Sequence, residues 1–198
     1  SSGKVTRWGL IVPSGVTSHW FLQGFTTQNR AKLQNDAGTE TYLATPEAIE
    51  SLQYFVDLSR KYKIMQEGII DTGTAPNVFI EGRAAMMFHS TGNLTNVKNN
   101  AKFDFGVAML PARKQRGSAT GGGSIYIFKK STPEQLDASY KFVKWMTSAE
   151  QSARWSIATG YVAPRQDAWD LPAMKQYAHD FPPAAVALEQ LPFCAPEF

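Results

Sequence analysis

The sequence predicts an α/β fold, because short apolar segments alternate with segments of helical period along its 198 residues. Residues 5–12 and 84–88 are two of the strand candidates. Helix starts are clearly marked: Thr132 and Ser148 each precede a glutamine by three residues, the spacing of a capping box. A hydrophobic content of 43% is ample for a packed core.

Proline, glycine and cap residues mark the bounds of the first predicted elements. Residues 5–12 are mostly apolar, and the proline and glycine that follow end the segment, which predicts a strand. A helix is predicted over 17–34, because five residues share one face: Trp20, Phe21, Gly24, Phe25 and Gln28. The next helix opens at Thr45, since proline follows this hydroxyl cap.

Residues 77–83 are predicted to form a short helix that ends at a glycine. The apolar run 84–88 lacks alternation, as expected for a strand covered on both faces. Ser90 and Thr91 follow this strand, where a helix over 92–99 is predicted to begin. Ligands collect at the carboxyl ends of strands and at the helix starts that follow. Both hydroxyls are therefore candidate ligands, although they would serve equally well as caps of the helix.

The middle of the chain carries two further strand signals. Residues 103–111 alternate, which predicts a strand with one buried face. Three glycines, 121–123, precede a short hydrophobic strand that starts near Ile125. Without a Cβ, this backbone can approach another segment or a ligand closely. A hairpin turn with no ligand explains the same glycines.

The last third is predicted to be helical. A helix starts at Pro133, and its wide aromatic stripe, which includes Phe142 and Trp145, predicts burial on more than one side. A second helix follows Ser148 and ends at Gly160, which places Tyr161 on a loop. Three short helices are predicted over 166–170, 172–180 and 183–190.

Composition excludes several classes of function. The net charge is only +3 and the basic residues are scattered, which argues against nucleic-acid binding. Single histidines such as His19 and His89 have no partner at metal-ligand spacing, so neither a metal nor another cofactor is expected. Ser124 lies outside any G-x-S-x-G motif, so no enzyme is predicted. One cysteine, Cys194, excludes an internal disulfide.

Five motifs, in this order, carry a resemblance to a known family. They are Phe-x-x-Gly-Arg-Ala-Ala-Met followed by Ser-Thr-Gly, then Phe-x-Phe-Gly-Val-Ala-x-Leu-Pro, Gly-Gly-Gly-Ser-Ile-x-Ile, Ala-Ser-Tyr-Lys-Phe-Val-Lys-Trp-Met, and Thr-Gly-Tyr-Val-Ala-Pro-Arg. The series resembles the later half of the family 1 extracellular solute-binding proteins of ABC importers. Within that family it is most similar to the glycerol-3-phosphate-binding type.

The resemblance implies a two-lobed fold of the type II periplasmic-binding-protein kind, of which this partial chain covers mainly the C-terminal lobe. Residues 1–104 and 153–198 would form that lobe, and 105–152 would cross into the N-terminal lobe. We expect the chain to be part of a longer polypeptide or to pair with another copy. A periplasmic or extracellular location is also implied, with the signal peptide outside this chain.

The resemblance also implies a set of ligand-binding residues: Trp20, Ser90, Thr91, Gly122, Gly123, Ser124 and Tyr161. A phenol and an indole suit a polar solute, because each is flat and rigid with one polar group. As alternatives, Tyr161 could simply pack between lobes and Trp20 could lie in the core.

The implied function is binding of a small polar solute in an interlobe cleft and its delivery to an ABC-type permease. Glycerol-3-phosphate, a related glycerol phosphate and a sugar all remain open. Phosphate-binding members use a late arginine, and Arg165 does not match it because it lies on the loop of Tyr161. A sugar- or polyol-sensing module and a hydrolase are the alternative functions.

Overall fold

The structure, a computed structural model, describes residues 5–196, and this part contains four short strands and nine α-helices. The strands are β1 (Trp8–Ile11), β2 (Ala84–Met87), β3 (Ser118–Thr120) and β4 (Cys194–Pro196). The helices are α1 (His19–Gln28), α2 (Pro46–Arg60), α3 (Ala75–Ile80), α4 (Leu94–Asn100), α5 (Pro133–Met146), α6 (Ala149–Thr159), α7 (Gln166–Trp169), α8 (Pro172–Asp180) and α9 (Val186–Gln190). The α/β content predicted from the sequence is confirmed.

A parallel pair of strands carries the main core. Trp8 of β1 lies opposite Ala84 of β2, and Leu10 lies opposite Met86. Apolar side chains from β1, α2 and the loops beside them bury each other there, and this removal of apolar area from water stabilises the unit. The buried members are Leu10, Ile11, Val12, Leu58, Met65, Ile70, Ala75 and Ala84.

A second core lies among the late helices. Ala153 of α6, Ala163, Ala168 of α7 and Met174 of α8 are buried together. The small alanines leave room for close packing, and Met174 packs in the same cluster with no exposed surface. This cluster fixes α6, and α6 in turn fixes the loop that begins at Gly160.

The second parallel pair, β3 with β4, joins the middle of the chain to its end. Ser118 lies opposite Cys194, and Thr120 lies opposite Pro196. Helix α1 packs on β3. The approach is close, since a Cβ at Gly117 would lie 2.7 Å from Thr27 Cγ2.

Helix α1 ends at Gln28, six residues before the predicted end. Arg30 takes a positive φ of 62°, while the Ala31 amide donates to the Thr26 carbonyl and the Arg30 amide donates to the Thr27 carbonyl. These bonds form a Schellman motif. Glycine usually occupies the left-handed position of this motif, so an arginine there left no signal of the helix end in the sequence.

Two predicted strands are wrong. Residues 103–111 and the segment from Ile125 have no strand structure, although both carry apolar residues. A strand requires a second strand to pair with, and within residues 5–196 neither segment has one. The nearby strand β3, directly before the glycines, was not predicted. Its residues Ser118–Thr120 give no apolar signal.

Burial also differs from the prediction at two elements. Strand β2 is not covered on both faces, because Ala85 and Met86, which lie on opposite faces, are both exposed. Helix α5 has the predicted capping box between Thr132 and Gln135, yet none of its residues is buried. Phe142 and Trp145 are more than half exposed, so the expected burial of α5 does not occur among the described residues.

Candidate functional site

Tyr161 lies on a tightly defined loop directly after α6. Gly160 ends this helix with a φ of 90°, as predicted for a glycine C-cap. The Tyr161 amide donates to Thr159 Oγ1 at 3.1 Å, and the Tyr161 carbonyl accepts from Ser156 Oγ at 2.6 Å. The backbone of Tyr161 is therefore held from both sides, while its side chain remains 46% exposed.

The ring of Tyr161 lies against the backbone of Gly92. A Cβ added at Gly92 would lie 2.6 Å from Tyr161 Cε2 and 2.8 Å from its hydroxyl oxygen. A Cβ at Gly160 would similarly lie 2.9 Å from the Thr91 carbonyl oxygen. The loop after α6 is thus in close contact with the turn that follows β2, the turn that carries Ser90 and Thr91.

Ser90 caps the turn after β2. Its Oγ accepts a hydrogen bond of 3.2 Å from the Gly92 amide, and its side chain is exposed. A hydroxyl has one donor and two acceptor sites, so capping leaves Ser90 able to donate to a solute oxygen. Thr91 is half-buried beside it. The capping alternative is therefore observed for Ser90, and it is compatible with ligand binding.

His89 fixes the other side of this turn. His89 Nδ1 lies 2.9 Å from Asn93 Nδ2, and His89 Nε2 lies 2.9 Å from the Thr72 carbonyl oxygen, which accepts its hydrogen. Both ring nitrogens are thereby used. His89 therefore holds the Ser90 turn in place. This role was not predicted, because His89, Thr72 and Asn93 do not form a known sequence motif.

Trp20 lies against the glycine run. A Cβ at Gly121 would overlap Cη2 and Cζ3 of the Trp20 indole, which is half-buried at the start of α1. Gly122, Gly123 and Ser124 are exposed, and a Cβ at either of these two glycines would have no neighbour within 4 Å. The glycine that contacts Trp20 is thus the first of the three, which the predicted set of site residues did not include.

The seven predicted residues therefore fall into two groups. Ser90 and Thr91 meet Tyr161 at Gly92, and Trp20 meets the glycine run at Gly121. No hydrogen bond or ring contact joins the two groups within residues 5–196. Surface hollows of about 380 and 410 Å³ lie elsewhere, beside Arg165 and beside Cys194 respectively, and no predicted residue lines either of them.

Charged groups near the loop of Tyr161 are engaged with each other. Arg165 Nε donates to Asp167 Oδ1 at 2.8 Å. This hydrogen bond, together with the attraction between the two charges, raises the pKa of Arg165 and lowers that of Asp167. Arg165 is thereby paired with Asp167, two residues further along the chain.

The described part of the chain shows no cluster of three His, Cys, Asp or Glu side chains suited to a metal. Within the same residues, no helix has the length and apolar character needed to cross a membrane.

Residues 4–183 match the profile of a family described as bacterial extracellular solute-binding protein. The sn-glycerol-3-phosphate-binding periplasmic protein UgpB of Escherichia coli O1:K1 is 27% identical over 88% of this chain and 40% of its own length. The protein of the same name from Yersinia pseudotuberculosis is 26% identical over 96% of this chain and 44% of its own. The chain thus spans less than half the length of these relatives.

Solved structures agree with this match. UgpB from Mycobacterium tuberculosis, in complex with glycerophosphocholine, is similar with a TM-score of 0.86 and 25% identity, over 99% of this chain and 48% of that one. Maltose-bound MalE3 from T. maritima has a TM-score of 0.79 at 24% identity, over 97% of this chain and 50% of that one. The fold is that of a type II periplasmic binding protein, as predicted, and the chain covers about half of it.

Proposed function

Since this chain belongs to the bacterial extracellular solute-binding protein family, we propose that it is part of a protein that captures a small polar solute and delivers it to an ABC-type permease. The contact between Tyr161 and Gly92 is the observation that carries the proposal for the site. It joins two segments that are distant in sequence and leaves a phenol and two hydroxyls together at the carboxyl end of β2. Ligands of open α/β folds collect at such strand ends.

A glycerol phosphate is the solute class we favour, with a maltose-type sugar as the second candidate. Relatives named for sn-glycerol-3-phosphate match most of this chain, and a similar structure holds glycerophosphocholine. The hydroxyl of Ser90 and the phenol of Tyr161 would donate to phosphate or sugar oxygens without burying a counter-charge. Gly122 and Gly123 would offer backbone amides, with Ser124 beside them, and Trp20 would provide a flat apolar wall.

The division into lobes is the second part of the proposal. Residues 1–104 and 153–198 would form the C-terminal lobe, and 105–152 would cross into the N-terminal lobe. Strand β3 lies within that crossing segment and pairs with β4, which makes this strand pair a candidate for the connection between lobes. Residues 121–130 and helix α5 bury no side chain, as expected if an N-terminal lobe covers them.

The site would then be completed by the opposite lobe. Each described group forms one open surface, and neither encloses a solute by itself. A binding role without catalysis and a periplasmic or extracellular location belong to the same proposal, because both are characteristic of the family.

A thermal-shift screen of the native protein tests this function. A solute that binds only the folded state raises the free energy of unfolding, by about 2.7 kcal/mol at a concentration 100 times its Kd. The melting temperature rises as a result. We expect a shift with sn-glycerol-3-phosphate or glycerophosphocholine, and a smaller one or none with maltose. A shift with maltose alone would move the solute class to sugars. The absence of any shift, or turnover of a probe, would contradict the proposal.

A further inference from the structure

We propose that Gly92 and Gly121 are positioning residues, which seat the two aromatic side chains of the solute site by having no side chain themselves. The inference rests on the proposed function and extends it to two residues outside the predicted set. Neither residue would touch the solute. Gly92 would act through Tyr161, and Gly121 would act through Trp20.

The backbone does not explain why these two positions are glycine. Positive φ angles occur at Gly38, Gly68, Gly82 and Gly160, where glycine is favoured for its conformation. Gly92 and Gly121 are not among the glycines with a positive φ. An alanine could therefore adopt the backbone conformation at either position, and the requirement for glycine must come from the neighbouring atoms.

Those neighbouring atoms are aromatic at both positions. A Cβ at Gly92 would lie 2.6 Å from Tyr161 Cε2 and 2.8 Å from the phenol oxygen. A Cβ at Gly121 would overlap the six-membered ring of Trp20 and would still lie 3.2 Å from Cζ2. Carbon atoms in ordinary contact are about 3.5–4.0 Å apart, so an added methyl group would force each ring to move.

Other glycines of the same region do not share this property. A Cβ at Gly106, Gly122 or Gly123 would meet no atom within 4 Å. Among the glycines of residues 5–196, close contact of an added Cβ with an aromatic ring is thus specific to Gly92 and Gly121. Gly106 also lacks a positive φ, which makes it a matched control for a glycine-to-alanine change.

A fixed ring benefits binding because it needs no ordering when the solute arrives. Rigid groups lose less conformational entropy on association than mobile ones. The loop of Tyr161 is already held by Ser156 Oγ and Thr159 Oγ1, and Gly92 supplies the surface on which the ring rests. A Cβ there would displace the phenol while leaving these backbone bonds in place.

Calorimetric titration of the native protein tests the inference, with sn-glycerol-3-phosphate, glycerophosphocholine and maltose as probes. We expect Gly92→Ala and Gly121→Ala each to raise the Kd of the bound probe about tenfold or more, the order of one lost polar or stacking contact. Gly106→Ala should leave the Kd unchanged. Melting temperatures of all three variants, measured without a probe, separate a folding defect from a binding defect.

A double change distinguishes positioning from general damage. Gly92→Ala combined with Tyr161→Ala should bind no more weakly than Tyr161→Ala alone, because the ring that Gly92 seats is already absent. A Kd equal to the wild-type value for both Gly92→Ala and Gly121→Ala would overturn the inference and leave the proposed function intact. A wild-type protein that binds none of the probes would instead overturn the proposed function and the inference with it.

Discussion

The hydroxyl of Ser156 donates a hydrogen bond of 2.6 Å to the carbonyl oxygen of Tyr161. Ser156 is only 3% exposed whereas Tyr161 is 46% exposed, so the bond joins a buried donor on helix α6 to the more open loop that follows it. It fixes the direction in which the chain leaves the helix. The position of the Tyr161 ring over Gly92 therefore depends on a buried residue of helix α6 that lies outside the predicted set of site residues.

Replacing Ser156 by alanine should destabilise the protein and loosen this loop. The Tyr161 carbonyl would lose its donor, and the loss of a typical intramolecular hydrogen bond costs about 0.5–1.5 kcal/mol. Urea unfolding measures the change. Ser152→Ala on the same helix is the control, because no side-chain bond of Ser152 is seen in the described part of the chain. Equal unfolding midpoints for the two variants would contradict the role given to Ser156.

Gly160→Ala should cost more than the same change at a glycine of similar φ. Gly68 has a φ of 96° and Gly160 has a φ of 90°. An alanine in this left-handed conformation lowers the free energy of unfolding by about 1–2 kcal/mol at either position. Only at Gly160 would the new Cβ overlap other atoms, at 2.6 Å from Leu94 Cβ. Overlap in a packed region adds roughly 1–3 kcal/mol. Denaturant unfolding of Gly68→Ala and Gly160→Ala compares the two directly, and equal losses would refute the packing argument.

Tyr161→Ala and Gly123→Val should each weaken solute binding with little loss of stability. The alanine removes a phenol that is 46% exposed, and the valine adds bulk where the backbone is open. We expect a rise in Kd of about tenfold or more for the probe that the native protein binds. Tyr62→Ala, at a tyrosine 52% exposed on a different surface, is the control. Wild-type affinity in both site variants would remove Tyr161 and Gly123 from the site.

Glu50 should contribute to the stability of the folded protein in a way that depends on pH. A hydrogen bond of 2.8 Å from Asn29 Nδ2, and then the charge of Arg113, lower the pKa of Glu50 in the folded state. A carboxyl group whose folded pKa is depressed stabilises the protein fully above its unfolded pKa of about 4.3, and this stabilisation is lost as pH falls through the folded value.

Asn29→Ala should raise the pKa of Glu50 and reduce this loss of stability in acid. NMR titration of the Glu50 carboxyl measures the pKa directly, and urea midpoints across the acid range measure the stability. Asn99→Ala, at an exposed position on α4, is the control. An unchanged Glu50 pKa in the Asn29 variant would show that the hydrogen bond does not cause the shift.

Trypsin should cleave the 198-residue chain first within residues 121–146. Helix α5 buries no residue, and the apolar segment before it has no strand partner in the described structure, so local opening there exposes little additional apolar surface. Lys129 and Lys141 should therefore be cut before Arg154 of the better-packed helix α6. Mass spectrometry of early fragments identifies the sites. First cleavage at Arg154 would contradict this order.

The sequence predicted helices better than strands, and the reason is physical. Helix signals are local: the cap at Thr132 and the glycine at Gly160 act on the backbone within a few residues, and both were confirmed. A strand forms only against a neighbour. The alternation over 103–111 indicated a segment with one apolar face, but this segment has no strand to pair with in the described structure. Strand β3 was missed because its residues have a weak intrinsic preference for strand structure, and its pairing with β4 outweighs that preference.

The candidate site divides in the same way. The strand end at Ser90 and the loop of Tyr161 could be identified from local turn and cap residues and from the family resemblance, because these signals lie next to each element in the sequence. The contacts of Gly92 with Tyr161 and of Gly121 with Trp20 could not, since they depend on the packing of separate elements. His89 was missed for a related reason, as its two partners lie on different segments.

Both two-stranded sheets pair segments that are far apart along the polypeptide, and both run parallel. Neither sheet can nucleate from a local hairpin, because closing so long a loop costs entropy before any pairing energy is gained. Parallel pairing between distant segments is therefore intrinsically slow. Within this chain, β1 and β3 are synthesised well before their parallel partners β2 and β4, so each early strand lacks that partner until the later segment exists, and unpaired strands are prone to aggregation.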